Sequence, residues 1–390
     1  MRSVLHVITG LRDGGAEAVL YRLCTEDRDN RHYVISLGDM GKYGPWLAKA
    51  EIPVTCLGMP PGRVTFTGMR TMWRTMRRVR PDAVQTWMYH ANLLGGLIAR
   101  FAGLRNISWG IHHSSLGSGE IARQTIFVAR FSARLSKLIP RVIVCCAEQA
   151  YRVHAKIGYD PDRMLVIPNG YDFSTFKPDR NAGVALRAAL NIASSERLIG
   201  FVARHDPLKD HANLFQALAI LRDLGHRPIC LLIGNGMVPD NAELMEHVSR
   251  FGLTDQVRFL GPRGDIPAVM NALDIHVMSS RGESFPNVLA EAMACGTPCV
   301  STDVGDAATI LGGTGRIVRP GDPAALARGI AEMLAECGSI PAWRARQQAA
   351  RRHIAANFSL DRMLDSYRRT WFECETPRPK SPSTAEVGAV

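Results

Sequence analysis

The stretch Arg281-Gly282-Glu283-Ser284-Phe285-Pro286-Asn287-Val288-Leu289-Ala290-Glu291-Ala292-Met293-Ala294-Cys295-Gly296-Thr297-Pro298 sets two carboxylates around a turn and the opening of an apolar helix. Pro286 suits the first helical position, where its missing N–H costs nothing. The N–H groups that follow it, with the helix dipole, make a site for an anion. Helical rise would hold Glu283 and Glu291 roughly 12 Å apart, and closer if the first lies in a loop. Acids on both sides of an anion site can hold hydroxyl groups flanking a diphosphate. Ribose, diphosphate and hexose follow one another in that order in a nucleotide sugar. In isolation, ordinary acids favoured by the dipole at a helix N-terminus would look the same.

Other chemistry-bearing residues lie in turns. Ile199-Gly200-Phe201-Val202-Ala203-Arg204-His205-Asp206-Pro207-Leu208-Lys209-Asp210-His211 places Arg204 and Lys209 in a loop after a strand. Two cations there would offset the charge gathering on a leaving diphosphate; solvated surface cations are the plainer alternative. Thr9-Gly10-Leu11-Arg12-Asp13-Gly14-Gly15-Ala16-Glu17 joins the first strand to a helix, and its paired glycines let backbone approach a ligand. It is not G-x-G-x-x-G, so no dinucleotide fingerprint is present. His90, in Trp87-Met88-Tyr89-His90-Ala91-Asn92, is a candidate for the acceptor side. Two D-x-D strings, Asp27-Arg28-Asp29 and Asp160-Pro161-Asp162, fall in polar connectors away from the anion site and are read as chance rather than as metal ligands. The nine cysteines lack metal spacing and read as buried, reduced thiols.

Short apolar runs alternating with helical stretches must position these residues, a pattern of βαβ units and parallel sheets. The first half has runs at Val4–Ile8, Tyr33–Leu37, Val54–Leu57, Ala83–Thr86, Ile107–Ile111, Val142–Cys145 and Met164–Ile167. Polar sequence from Pro168 to about Arg197 reads as a linker with a short helix. A second series follows at Leu198–Val202, Cys230–Ile233, Val257–Leu260, Ile275–Met278, Pro298–Ser301 and Gly315–Val318. Each half therefore reads as a doubly wound α/β domain that binds ligands at the carboxyl ends of its strands. The expected domains are 1–178 and 196–358, with a disordered tail over 375–390.

At 390 residues, 46% hydrophobic and 21% charged, the chain suits two globular domains. No apolar run is long enough to span a bilayer, and the N-terminus lacks a secretory signal, so a cytoplasmic location is expected. The net charge of +11 is uneven: residues 1–180 hold 25 Lys+Arg against 14 Asp+Glu, and the remainder is balanced. Arg70, Arg74, Arg77, Arg78 and Arg80 crowd one segment. Arg123, Arg130, Arg134, Lys137 and Arg141 interleave with Ile126, Phe127, Val128, Phe131, Leu135, Leu138 and Ile139 in another. A solvated helix face is one reading; a basic, partly apolar surface for anionic lipid is the other. No nucleic-acid recognition motif accompanies the charge.

The Glu283–Pro298 stretch resembles the Glu-x7-Glu signature of retaining glycosyltransferases of family four, and Ala292-Met293-Ala294-Cys295-Gly296-Thr297-Pro298 is close to that family's continuation. The Arg204/Lys209 loop resembles the family's phosphate clamp, with His205 where leucine is commoner. Gly14 and Gly15 resemble its first glycine loop. Ile167-Pro168-Asn169-Gly170, Leu232-Ile233-Gly234-Asn235-Gly236, Val257-Arg258-Phe259-Leu260-Gly261 and Phe358-Ser359 through Tyr367 resemble further family pieces in family order. The match runs from about residue 3 to 372.

The resemblance implies a GT-B fold, two Rossmann-like domains facing a central cleft, with a C-terminal helix at about 359–372 returning to the first domain. It implies an enzyme that transfers a hexose from a UDP- or GDP-linked sugar, with retention, to a glycan or lipid-linked saccharide for surface polysaccharide. Glu291 would hold ribose and Glu283 hexose hydroxyls. Gly15, Gly234, Ser284, Phe285, Pro286, Asn287 and Val288 would line the donor, while Gly14 and His90 would face the acceptor. Arg204 and Lys209 would stabilise the leaving phosphate in place of a metal, so neither metal nor cofactor is expected. His112, or its neighbour His113, would be the active-site histidine. The alternatives are an inactive sugar-nucleotide-binding protein and a GT-B-type epimerase. The expected location is the cytoplasm, peripheral at the inner face of the plasma membrane.

Overall fold

A computed structural model describes residues 1–114 and 123–373. The chain forms two compact units: Met1–Pro168 together with the chain from Leu364, and Asn169–Met363.

In the first unit, β1 (Ser3–Ile8), β2 (Arg31–Ser36), β3 (Val54–Cys56), β4 (Ala83–Trp87), β5 (Ile107–Ile111), β6 (Val142–Cys145) and β7 (Met164–Val166) form one seven-stranded sheet. The order is β3-β2-β1-β4-β5-β6-β7, and neighbouring strands run parallel. Helices cover a parallel sheet on both faces, so its strands are continuous apolar runs rather than alternating ones. Every residue of β4, β5 and β6 is buried. The order reverses between β1 and β4, and the loops leaving their carboxyl ends diverge there, opening a binding position. Met88, directly after β4, sits at φ 73° and ψ 157°, a region suited to glycine. The final helix, Leu360–Phe372, buries Tyr367 and Trp371, and Asn106 Nδ2 donates to the Trp371 carbonyl at 2.7 Å.

The second unit has β8 (Leu198–Val202), β9 (Ile229–Ile233), β10 (Val257–Gly261), β11 (Ile275–Met278), β12 (Cys299–Thr302) and β13 (Arg316–Val318) in the order β10-β9-β8-β11-β12-β13. Its core packs Ile199, Phe201, Leu232 and Val277 of the sheet with the helical residues Leu218, Leu326 and Ile330. Here the reversal lies between β8 and β11. Gly200 lets the Leu273 side chain pack close against β8, since a Cβ there would stand 2.4 Å from Leu273 Cδ1.

Two sequence expectations need correcting. Pro286 is not the first helical residue: at φ −72° and ψ 91° it is extended and forms the N-cap of the helix Asn287–Ala294. An N-cap keeps non-helical backbone, and proline's fixed φ fits that position as well as the next. Cys56 is exposed, unlike the other cysteines among the described residues, because β3 is a short edge strand. The tail expected over 375–390 lies outside the described residues.

Candidate active site

The loop after β8 is built around carboxylates that fix its backbone. Asp206 accepts from Arg204 Nε and Nη2 at 3.1 and 2.7 Å, and from the Leu208 N–H at 3.0 Å, capping the short turn Pro207–Lys209. Burial would raise the Asp206 carboxyl, but the Leu208 N–H and Arg204 outweigh it and hold it low. Asp210, left-handed at φ 50°, caps the helix His211–Asp223 and accepts from Arg281 Nε at 2.6 Å. From the other side, Ser279 Oγ donates to the carbonyls of Lys209 and Asp210 at 2.9 and 3.0 Å. The Arg281 N–H donates to the Leu208 carbonyl at 2.7 Å. The loops after β8 and β11 are thereby laced together at the sheet's switch point.

That lacing brings Lys209 to Glu283. Lys209 Nζ bonds Glu283 Oε1, and Ser280 Oγ donates to the same oxygen at 2.8 Å. The two charged side chains are only 18% and 15% exposed. Gly234, at the end of β9, adopts φ 136°, and a Cβ there would lie 2.1 Å from the Ala203 carbonyl. It therefore touches the strand end that leads into Arg204. His205, the departure from the family pattern, packs against Gly236 and faces His211 at 5.2 Å, with its Nε2 3.4 Å from Glu243. Its ring takes no part in the Arg204–Asp206 or Lys209–Glu283 contacts.

The carboxylate-bracketed helix is anchored at its opening. Asn287 Oδ1 accepts from Asn169 Nδ2 at 3.0 Å and from the Tyr171 hydroxyl. Phe285 stacks with Tyr171 at 6.4 Å and meets Phe358 edge-on at 5.6 Å. The Ser284 carbonyl accepts from the Asp306 N–H at 3.1 Å. Gly305, at φ 57°, passes so close that a Cβ would stand 2.4 Å from that carbonyl. The first N–H groups of the helix, those of Asn287 and Val288, have no helical carbonyl before them. Glu291 lies one turn beyond Asn287 on the same face and is half-buried.

The remaining expected residues belong to the first unit. Gly14 caps the helix Gly15–Glu26, and Gly15 opens it. His90 is the second residue of the helix Tyr89–Phe101, half-buried, and burial lowers its pKa. His112 directly follows β5 and stacks on Trp87 at 5.1 Å and 26°. Burial first, and His113 second, push its pKa down to about 3. Its buried Nε2 has no partner among the described residues. His113 instead stacks on Tyr89 at 5.8 Å. Structural tasks occupy acids of both D-x-D strings: Asp27 and Asp29 pair with Arg368, and Asp160 accepts from the Asp162 N–H at 3.3 Å.

Sequence reasoning did not single out Ser279, Ser280, Asp210, Tyr171 or Gly305. Ser280 carried a faint signal in standing three residues before Glu283 in a turn. The Asp210–Arg281 pair carried none, because a pairing across 71 residues has no local pattern.

Residues 13–175 match the family described as Glycosyltransferase Family 4, and residues 196–336 match Glycosyl transferases group 1. EpsF of Bacillus subtilis (strain 168), which carries a provisional glycosyltransferase name, is 29% identical over 316 residues, covering 77% of this chain and 79% of EpsF. The D-inositol 3-phosphate glycosyltransferase of Salinispora arenicola is 37% identical over 220 residues, 53% of this chain and 48% of that protein. The chain thus spans about half the length of that relative. HepE of Anabaena, crystallised with UDP-glucose, superposes with a TM-score of 0.82 at 22% identity, over 95% of this chain and 99% of that one. A sucrose-phosphate synthase of Thermosynechococcus elongatus gives 0.79 at 19% identity, over 95% and 98%. These structures share the GT-B type of fold, two parallel-sheet α/β units. With a first-half family and a second-half family matched in order, the chain belongs to the family-four glycosyltransferases.

Proposed function

We propose that this glycosyltransferase moves a hexose from a UDP- or GDP-linked sugar to a glycan or lipid-linked saccharide, with retention at the anomeric carbon. One observation carries the reading: Lys209 and Glu283 meet at the β8/β11 switch point, beside the opening of the helix Asn287–Ala294. The diphosphate takes the N–H groups of Asn287 and Val288. Lys209 and Arg204 compensate the charge that grows on it, a task a metal performs in other transferases. Glu283 holds hexose hydroxyls, and Glu291 holds those of the ribose. The UDP complexes of HepE support the UDP branch.

The bond from the anomeric carbon to the phosphate oxygen breaks, and the bond to the acceptor oxygen forms on the same face. The acceptor proton passes to the departing phosphate. No pair of carboxylates spaced as in glycosidases is required. Positioning and leaving-group stabilisation supply the rate. His112 is read as the contact to the donor sugar, and burial keeps its ring neutral.

Thermal shift with UDP-, GDP- and ADP-sugars identifies the donor, because a ligand that binds only the folded state stabilises it by mass action. Proton NMR of the product then reads the anomeric configuration. An inverted product, or turnover abolished by EDTA and restored by Mn²⁺, overturns the mechanism. Donor binding without transfer or hydrolysis favours a sugar-nucleotide-binding protein.

The acceptor assignment is supported by one face of the first unit. Phe66, Phe127 and Leu138 are 77%, 67% and 68% exposed, and Phe127 stacks on Phe131 at 6.3 Å. Exposed Arg70, Arg74, Arg77, Arg123, Arg130, Arg134 and Lys137 share these segments. Apolar rings among cations suit the headgroup region of an anionic leaflet, and with it a lipid-linked acceptor at the inner face of the membrane. No helix among the described residues is long and apolar enough to cross a membrane. Equal binding to phosphatidylglycerol and phosphatidylcholine vesicles at low salt would remove this placement.

A further inference from the structure

A line of buried polar side chains runs through the first unit from Asp27 to Trp87. Asp27 Oδ1 accepts from Arg368 Nε and Nη2 at 2.9 and 2.7 Å, and Asp27 Oδ2 lies 3.2 Å from His32 Nε2. His32 Nδ1 is 2.9 Å from His6 Nε2, and His6 Nδ1 is 3.2 Å from Trp87 Nε1. Burial would raise the Asp27 carboxyl, but hydrogen bonds from His32, Asn30 and Arg368 outweigh it and hold it well below its ordinary value. Burial pushes His6 far down.

These facts give every proton one place. A carboxylate only accepts and an indole only donates. His32 must therefore carry its proton on Nε2 and accept on Nδ1. His6 must also carry its proton on Nε2 and accept the indole N–H on Nδ1. Both rings are neutral Nε2–H tautomers, and all four nitrogens are satisfied.

Cys24, His6 and His32 also bring three potential metal-ligand atoms within 4.8 Å of one another. A metal on His6 Nε2 would force the proton to Nδ1, where it would face the Trp87 N–H. The hydrogen-bonded chain accounts for the cluster; a metal does not.

At the far end of this chain, one face of the Trp87 indole carries His112 at 5.1 Å, and Tyr367 stacks at 6.0 Å. The next residue, Met88, holds the glycine-like backbone, a conformation that persists only where its surroundings over-determine it. We propose that the one-way chain Asp27–His32–His6–Trp87 holds the indole as a platform for His112, making His6 and Trp87 positioning residues of the transfer reaction. This rests on His112 as a donor-sugar contact.

Long-range proton–nitrogen NMR should show Nε2–H tautomers for His6 and His32. His154, which donates Nδ1–H to the Ala150 carbonyl at 2.7 Å, should show the opposite form. An Nδ1–H tautomer or an imidazolium at His6 or His32, or one zinc per chain lost to a chelator, overturns the chain. Trp87→Phe keeps the aromatic face and removes the N–H. Nucleotide release from UDP-glucose, GDP-mannose and ADP-glucose, assayed in parallel, should fall about tenfold in kcat, with no further loss in a His112→Ala background. His6→Asn, whose amide oxygen accepts the indole proton, should recover part of what His6→Phe loses. If His112→Ala is impaired and Trp87→Phe adds to it independently, the platform role fails alone. If His112→Ala turns over like wild type, the reading of His112 fails and the platform has nothing to serve.

Discussion

Lys209→Ala separates the two tasks assigned to one ammonium group. In the folded protein Lys209 Nζ bonds Glu283 Oε1, and both side chains are more than four-fifths buried. Removing the cation leaves Glu283 with Ser280 Oγ as the surviving donor among the contacts described above. Breaking a fully buried pair costs about 3–5 kcal/mol and an exposed pair about 0.2–1 kcal/mol, so a mostly buried pair falls near 2 kcal/mol. That lowers the Tm of the second unit by about 4–8 °C. Turnover should fall by about 10²-fold, the scale of a lost oxyanion donor. Glu283→Gln removes the opposite charge, and the double variant leaves neither charge stranded. Its destabilisation should be smaller than the sum of the two single losses by at least about 0.5 kcal/mol, while turnover stays low. Urea unfolding and donor turnover on the four proteins measure both quantities. Additive stability losses would refute the pairing, and near-wild-type turnover by Lys209→Ala would refute the phosphate role.

Glu291→Ala should weaken donor binding while leaving the fold intact, read by calorimetry with the donor that the thermal-shift panel selects; unchanged affinity would remove the ribose role. Gly305→Ala forces a side chain at φ 57° against the Ser284 carbonyl and should destabilise the second unit by at least about 1–3 kcal/mol in urea unfolding. Asp27, held below the unfolded carboxylate range near 3.9, stabilises the fold above that pH, and its contribution is lost as pH falls through the lower folded value. The stability gap between wild type and Asp27→Asn should therefore shrink from pH 5 toward pH 3, and an unchanged gap would contradict the assignment. His112, His154, His211 and His276 are all lowered, first by burial, so the unfolded chain binds the extra protons below about pH 6.5. Stability should accordingly decline as pH falls below that point, measured by thermal unfolding.

Much of the architecture was legible because buried parallel strands announce themselves. Val142–Cys145 and Ile275–Met278 are apolar at every position but His276, and both became strands at those bounds. Strand ends were less legible: β2 begins at Arg31, before the apolar run, since backbone pairing with β1 continues into polar residues. The helix Asn287–Ala294 was readable too, but Pro286 shifted from helix to cap, a choice that neighbouring backbone makes and proline alone does not.

The sequence by itself determined two α/β units, the family, and which loops carry the candidate donor residues, because apolar periodicity and motif order are local properties of the chain. Tertiary structure decided the partnerships. Lys209 meets Glu283 because the loops after β8 and β11 emerge side by side where strand order reverses. His6, His32 and Trp87 join into one line because β1 lies between β2 and β4. Asp27 ends that line at His32, and Arg368 reaches it from the last helix. No local pattern encodes such meetings: hydrogen bonds between distant residues are set by topology, and burial then makes each of them obligatory.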